Sequence, residues 1–548
     1  MSADVRPDRV EILDTTLRDG SQMEGLSLTV GDKFRVAEQL DLLGVTYIEA
    51  GWPGANPKDE EFFARAPAEL TLEHATLVAF GSTRRAGVRA EDDTVLAHLV
   101  EAGAPVACIV AKAWDVHVTD TLRTTLDEAV AMVADSVTFL RDHGMRVFVD
   151  LEHYFDGYRT NPAFALDVLH AAERAGAEVL VLCDTNGGTL PDRVASTVTD
   201  AVAAAPNTRI GVHCHDDVGC AVASSLAAVA AGATHVQGCV NGYGERTGNA
   251  DLTTLIPNLV LKLGIEAVPA GRLERLTPVA HHIAELVNIA PDPQHPYVGT
   301  GAFAHKGGLH VSAIRRRRDA YEHVDPDLVG NGTRFVVSEM AGRSTLELKA
   351  EELGLDLDGA TLAGVLDKLK SLEHAGYHFE VADGSLELLM REATGWRQGF
   401  FRMESFRVVT DRGFGEGEGT GEHSGGALTT EATVKVHVGG ERIVATAEGN
   451  GPVNALDAAL RKAIGARFPH LAAVHLTDYR VRVLDTSHGT AAVTRVLLDS
   501  TDGDRAWSTI GVSENVIEAS WQALADSIVC GLLAAEGTCG DNRGSEGE

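Results

Sequence analysis

The chain has 548 residues, 44% of them hydrophobic and 23% charged, with a formal net charge of −32. That is the make-up of a soluble globular protein of two to four domains, with apolar material for a large core. So acidic a surface argues against nucleic acid or an anionic membrane as partner, and an anionic substrate must be met by a local cationic device.

Eight β-branched and apolar runs fill the first half: VEIL (10–13), VTYIEAG (45–51), ATLVAFG (75–81), PVACIVA (105–111), RVFVDLE (146–152), EVLVLCD (178–184), RIGVHCH (209–215) and HVQGCV (235–240). They start roughly 26–41 residues apart, enough for a strand, a helix and two short loops. Between them GDKFRVAEQLDLLG (31–44), TTLDEAVAMVADSVTFLRDHG (124–144) and NPAFALDVLHAAERAG (161–176) carry helical spacing and end on Gly44, Gly144 and Gly176. The Asn-Pro at 161–162 suits an N-cap followed by proline at the first helical position. Alternating strands and helices imply a parallel sheet, and eight units predict an α/β fold with a (β/α)8 barrel over 1–275. A doubly wound open sheet is the rival, but no Gly-rich dinucleotide fingerprint follows the first strand.

The rhythm breaks after about residue 265. APDPQHPYVGTGAFAHKGGLH (290–310) reads as loop, RRRR (315–318) as a solvated helix face with an anion site as the alternative, and 342–376 as helical. These form a linker region, 276–396. A small α+β domain is expected over 397–535, with strand FFRMESFRVV (400–409) and then an approximate ββα repeat. Residues 411–426 are a low-complexity linker or enlarged hairpin loop, and 536–548 a disordered tail. The seven cysteines match neither a zinc knuckle nor a disulfide framework, so the cytoplasm is the expected compartment. Residues 1–9 lack an apolar signal core, and no run of about 18 apolar residues suggests a membrane span.

The strand ends are polar. Strand one runs into Asp14, Arg18 and Asp19, strand two into Glu49, strand five into Glu152 and His153, and strand six into Asp184 and Thr185. Strand seven reaches His213, His215 and Asp216, and strand eight runs into Glu245, Arg246 and Asn249. Side chains alternate along a strand, so His213 and His215 share a face, and in a barrel that face meets the axis. Two imidazoles and a carboxylate make a divalent metal site with open positions; Asp19 is the carboxylate of choice, with Asn249 or water completing the shell. The bland alternative is a pair of hydrogen-bonded core histidines, and Asp14 can equally be a turn cap. Cys214 should pack behind the barrel. GYGERTG lacks the Lys-Ser/Thr of a nucleotide P-loop.

With DTTLRDG, GVHCHDD and NGYGERTGN in hand, the chain resembles the 2-isopropylmalate/homocitrate/citramalate synthase family over nearly its whole length. The resemblance implies a metal-dependent barrel enzyme that condenses acetyl-CoA with a 2-oxo acid, followed by a regulatory domain. DLEHYFDGYRTNP, LCDTNGGTLP and GAFAHKGGLHVSAI resemble the branch that takes pyruvate; 2-oxoisovalerate is the alternative acceptor. The resemblance assigns a divalent ion (Mg, Mn or Zn) to Asp19, His213, His215 and Asn249. Arg18 would polarise the keto oxygen, Thr185 hold the keto-acid carboxylate, and Glu152 help deprotonate the acetyl group. His310 and Tyr321 would reach the other subunit's active site in a homodimer, and the C-terminal repeat would take an amino-acid effector, isoleucine. Ser21-Gln22 departs from the family's usual Glu-Gln. A barrel lyase or aldolase, an iron(II) oxygenase and a non-catalytic metabolite sensor are the competing classes.

Overall fold

The structure is a computed structural model that describes residues 7–306, 308–336, 343–414, 425–484 and 492–540. Eight parallel strands close in sequence order: β1 (Glu11–Asp14), β2 (Tyr47–Gly51), β3 (Thr76–Ser82), β4 (Val106–Lys112), β5 (Arg146–Glu152), β6 (Val179–Asp184), β7 (Arg209–Cys214) and β8 (His235–Gly238). β8 returns to pair with β1, setting Glu11 opposite His235 and Asp14 opposite Gly238. The ring is therefore the expected (β/α)8 barrel and not an open sheet.

The flanking helices follow their local signals. Helix Val30–Leu43 opens on a reciprocal cap: the Thr29 hydroxyl accepts the Asp32 N–H and the Asp32 carboxylate accepts the Thr29 N–H. It stops at Gly44, whose φ of 87° suits a residue without Cβ. Helix Pro162–Ala175 starts where the Asn161 side chain accepts the Phe164 N–H. One apolar layer, including Ile12, Leu40, Phe62, Leu151, Leu182 and Cys214, fills the space between strands and helices. A second lies inside the barrel and contains Leu13, Tyr47, Val78, Phe80, Phe148 and Val181.

The chain divides into two compact units, Met1–Ala304 with Glu322–Arg334, and His305–Tyr321 with Phe335–Glu548. These differ from the expected breaks at 275/276 and 396/397, for reasons of packing. Helix Leu276–Leu286 buries Leu276, Val279, Ala280 and Ile283 in the barrel's outer layer, and Tyr297, Val298 and Phe303 join them. In the second unit, helices Arg343–Glu352, Gly359–His374 and Asp383–Ala393 bury Leu346, Leu369, Leu386 and Met390 with Ile510 of strand Ala506–Ser513.

Two antiparallel sheets complete that unit. One contains Arg402–Phe414, Gly425–Val438 and Glu441–Gly449, followed by helix Pro452–Ile464; the other His475–Val483, Thr494–Thr501 and Ala506–Ser513, followed by helix Val516–Gly540. The repeat is thus βββα and not ββα, because Arg402–Phe414 pairs along its length with Gly425–Val438. Both strands run into the expected 411–426 linker, whose residues 415–424 lie outside the described residues. The last helix passes the expected start of the tail at 536, and 541–548 lie outside the described residues. By length and mean hydropathy alone helix Val516–Ala535 could cross a membrane, although Glu518, Gln522 and Asp526 interrupt its apolar sequence. Here Ala519, Ala523, Ile528 and Val529 pack into a core with Val496, Leu498 and Trp507. Cys108, Cys183, Cys214, Cys220, Cys239 and Cys530 are free thiols.

Candidate active site

Alternation sorts the barrel strands into inner and outer faces. On the inner face β2 carries Tyr47 and Glu49, β5 carries Phe148, Asp150 and Glu152, and β8 carries His235 and Gln237. The floor is apolar around Tyr47, Phe148 and His235, whereas the levels above it hold charge. Cys214 points outward into the layer under the helices, as expected.

At the mouth, Asp19, His213 and His215 bring one donor atom each within 4.8 Å of one another. His213 Nε2 is 3.3 Å from Asp19 Oδ2 and 3.3 Å from His215 Nε2; His215 Nε2 is 3.8 Å from Asp19 Oδ2. Two imidazole nitrogens this close, beside a carboxylate, form a cation site more readily than a packed core. Burial favours a protonated Asp19, but Arg18 and then His213 hold its carboxyl well below the usual range. Burial and the neighbouring His213 push His215 down to about 4, which keeps it neutral and able to bind a cation.

Asn249 lies beside these donors in sequence register: His215 and Asn249 form an isolated antiparallel bridge. Its Nδ2 donates to the Tyr243 carbonyl at 3.0 Å, while its buried Oδ1 has no partner. A buried orphan acceptor calls for a donor or a cation. The glycines of GYGERTGN explain the loop's path. A Cβ on Gly244 (φ 148°) would meet Asn249 Nδ2 at 2.3 Å, and one on Gly248 (φ 91°) would meet the Gly242 carbonyl at 1.9 Å. The glycines let the loop fold over Asn249, as a side-chain-positioning turn and not a phosphate cradle. His213, His215, Asp19 and Asn249 thus offer two nitrogens and two oxygens, a set that suits a divalent ion.

Beneath them Arg18 Nε donates to Glu49 Oε1 at 2.5 Å, Nη1 lies 3.6 Å from Asp19 Oδ2, and the guanidinium sits 3.8 Å from the centre of the Phe80 ring. Burial pushes the Glu49 carboxyl up to about 7 and also raises that of Asp150. Glu49, Asp150 and Asp19 outnumber the one guanidinium, so the bowl favours added positive charge.

Glu152 pairs with Lys112, a residue just beyond the fourth apolar run and one that sequence reasoning missed. Thr185 Oγ1 accepts the His153 N–H at 3.0 Å, leaving its own hydrogen to donate. His153 adopts the left-handed region at φ 55°, and its ring lies 4.3 Å from that of His117. Glu49, Asp150 and Gln237 were also without an assigned role; their inward register, two residues from Tyr47, Phe148 and His235, is the signal that points to them.

Other polar strand ends are structural. Asp14 accepts from Thr16 N and Oγ1 and from Val240 N, so it closes the turn, and burial pushes its carboxyl up to about 7. Asp184 accepts from Thr189 N and Oγ1, and Asp216 caps the helix at Ala221 N. Ser21, the departure from the usual Glu, donates to the Arg18 carbonyl at 2.7 Å. His310 and Tyr321 belong to the second unit and stack on each other at 4.1 Å. Arg316, Arg317 and Arg318 are exposed, with Arg317 paired to Asp319.

Residues 9–282 match the HMGL-like family, 297–376 the homocitrate synthase post-HMGL domain-like family, and 380–530 the LeuA allosteric (dimerisation) domain. The chain is 54% identical over 531 residues to the (R)-citramalate synthase of Streptomyces coelicolor, covering 96% of this chain and 97% of that one. It is 50% identical over 538 residues to the (R)-citramalate synthase of Synechocystis (96% and 97%), and 47% over 531 residues to that of Aquifex aeolicus (96% and 99%). With a closed barrel, a polar mouth and a LeuA-type domain in one chain, this protein belongs to the (R)-citramalate synthase family.

Proposed function

We propose that the chain condenses acetyl-CoA with pyruvate and water to give (R)-citramalate and CoA, so that an acyl group becomes an alkyl group on transfer. The observation that carries this reading is the 54% identity over 96% of the chain to an (R)-citramalate synthase. The convergence of Asp19, His213 and His215, with the orphan oxygen of Asn249 on the segment bridged to His215, supports it independently.

A thioester methyl is a very weak carbon acid, so its proton must meet a placed base and the keto acid must be made electrophilic. Asp19, His213, His215 and Asn249 would hold a divalent ion, Mg, Mn or Zn, which when bound would supply Lewis-acid activation of the keto acid. Arg18, fixed by Glu49 and Phe80, offers a permanent positive charge to the keto oxygen. The Thr185 hydroxyl donates to the keto-acid carboxylate. Glu152, held by Lys112, takes the methyl proton; the enolate carbon bonds the keto carbon, whose oxygen takes up a proton, and water then cleaves the C–S bond of the thioester and releases CoA as the thiol. In this reading the protein is a cytoplasmic homodimer, His310 and Tyr321 serve the partner's site, and the LeuA-type domain binds isoleucine.

Thiol release from acetyl-CoA, measured with a panel of 2-oxo acids and with or without chelator, tests the proposal. Pyruvate should give the highest kcat/KM, and chelator should abolish turnover. A preference for 2-oxoisovalerate would move the assignment to a 2-isopropylmalate synthase; the two acceptors differ by two methyl groups, each worth only ~1–3 kcal/mol.

A further inference from the structure

The two ring nitrogens of His213 face different neighbours. Nε2 points to the donor cluster, 3.3 Å from both Asp19 Oδ2 and His215 Nε2. Nδ1 lies 2.8 Å from Gln237 Oε1, and Gln237 Nε2 donates to Asp150 Oδ1 at 2.9 Å and reaches Cys108 Sγ at 3.9 Å. Gln237 has no exposed surface, and His213 and Asp150 are each 4% exposed, so solvent offers these groups no alternative partners.

The chain of bonds has a direction. A carboxylate only accepts, so Asp150 turns the Gln237 NH2 group toward itself. That leaves the amide oxygen facing His213, and an amide oxygen also only accepts. The hydrogen of a neutral His213 must then sit on Nδ1, and its lone pair on Nε2. An acceptor behind a ligating imidazole fixes both ring angle and tautomer. A Leu or Met at 237 would fill the same interior space but leave the tautomer undetermined.

We infer that Gln237, oriented by Asp150, is a positioning residue that fixes His213 in the tautomer whose Nε2 binds the divalent ion. The inference rests on the proposed metal reading and adds to it two residues of β5 and β8 that touch neither ion nor substrate.

Manganese(II) titrated into chelator-stripped, full-length protein, with free ion counted by electron paramagnetic resonance, tests it. Gln237→Met keeps volume and net charge but removes the acceptor, and its Kd should rise about 10–100-fold with an unchanged far-ultraviolet circular dichroism spectrum. The pair Gln237→Glu with Asp150→Asn reverses the donor and acceptor between 150 and 237 at constant charge, yet keeps an acceptor behind His213. It should bind within about threefold of wild type. Wild-type affinity in Q237M, or a double variant as weak as Q237M, overturns the inference. Should Q237M fail to fold, the zinc-loaded wild type decides alone. Its imidazole nitrogen-15 spectrum, assigned with His213→Gln, should show His213 metal-bound at Nε2 and protonated at Nδ1, and metal at Nδ1 overturns the relay. Wild-type protein that takes up neither ion overturns the metal reading itself and the relay with it.

Discussion

Arg18 and Glu49 meet inside the barrel with Nε 2.5 Å from Oε1, and Glu49 has no exposed surface. Phe80 closes one face of the guanidinium, so its direction is set by a carboxylate and a ring together. Glu49→Gln keeps the shape but weakens the grip, and should lower kcat/KM about 10–100-fold, or ~1.4–2.7 kcal/mol, with modest loss of stability. Arg18→Lys cannot keep both contacts and should cost about 10²–10³-fold. Steady-state thiol release measures both; a Glu49→Gln enzyme as fast as wild type would mean that Arg18 needs no such aiming.

Lys33 and Asp59 form a second buried pair behind the same strand. Lys33 Nζ bonds Asp59 and, at 2.9 Å, the Ala50 carbonyl, while Asp59 Oδ2 accepts the Trp52 N–H at 2.8 Å. The pair therefore ties β2 just past Glu49 to the helices around it. Lys33→Met leaves a buried carboxylate without its cation and should cost about 3–5 kcal/mol in urea unfolding. Lys33→Met with Asp59→Asn removes the stranded charge yet keeps an acceptor for Trp52, and should recover more than half of the loss. Equal stability in the single and double variants would assign the loss to packing instead.

The LeuA-type domain leads to a ligand prediction. A ligand that binds only the folded state stabilises it by about 2.7 kcal/mol at a hundred times its Kd. Isoleucine should therefore raise the thermal midpoint of the full chain and lower its turnover, and leucine should do neither. Differential scanning calorimetry with each amino acid checks this. A shift with leucine alone would agree with 2-oxoisovalerate as acceptor and count against the pyruvate reading.

Much of this architecture could be read without coordinates because it rests on short-range rules. Period-two alternation put His213 and His215 on one face, and caps at Asn161, Gly44 and Gly176 marked helix ends that the structure reproduces. Asp19 stood among several acids at strand ends, and it was the resemblance carried by DTTLRDG that singled it out. Gln237 and Asp150 escaped notice because a polar residue inside an apolar run shows no partner until the strands that carry it are placed across the barrel. Lys112 lay one residue past the apolar run that marked its strand. Strand 400–409 was read from the sequence but not joined to the first repeat copy, because the low-complexity stretch after 410 interrupts the pattern just where Arg402–Phe414 turns back to pair with Gly425–Val438.

His235 makes the barrel floor sensitive to acid. Its ring is wholly buried between Tyr47 and Phe148, at 5.9 and 5.2 Å between centres, and neither ring nitrogen has a partner. Burial, then Arg209 and Arg146 nearby, push the imidazole down to about 3, whereas in the unfolded chain it titrates near 6.5. Above pH ~6.5 both states hold it neutral and it makes no pH-dependent contribution. As the pH falls from there toward 3 the unfolded chain gains a proton that the native floor refuses, so stability drops by ~1.4 kcal/mol per unit, or about 2–3 kcal/mol by pH 4.5. His235→Leu removes that linkage. Its urea midpoint should be near wild type at pH 7.5, where an unpaired buried imidazole is already costly, and clearly above wild type at pH 4.5. Identical acid limbs in the two proteins would mean that His235 reaches a proton acceptor or water in the folded barrel.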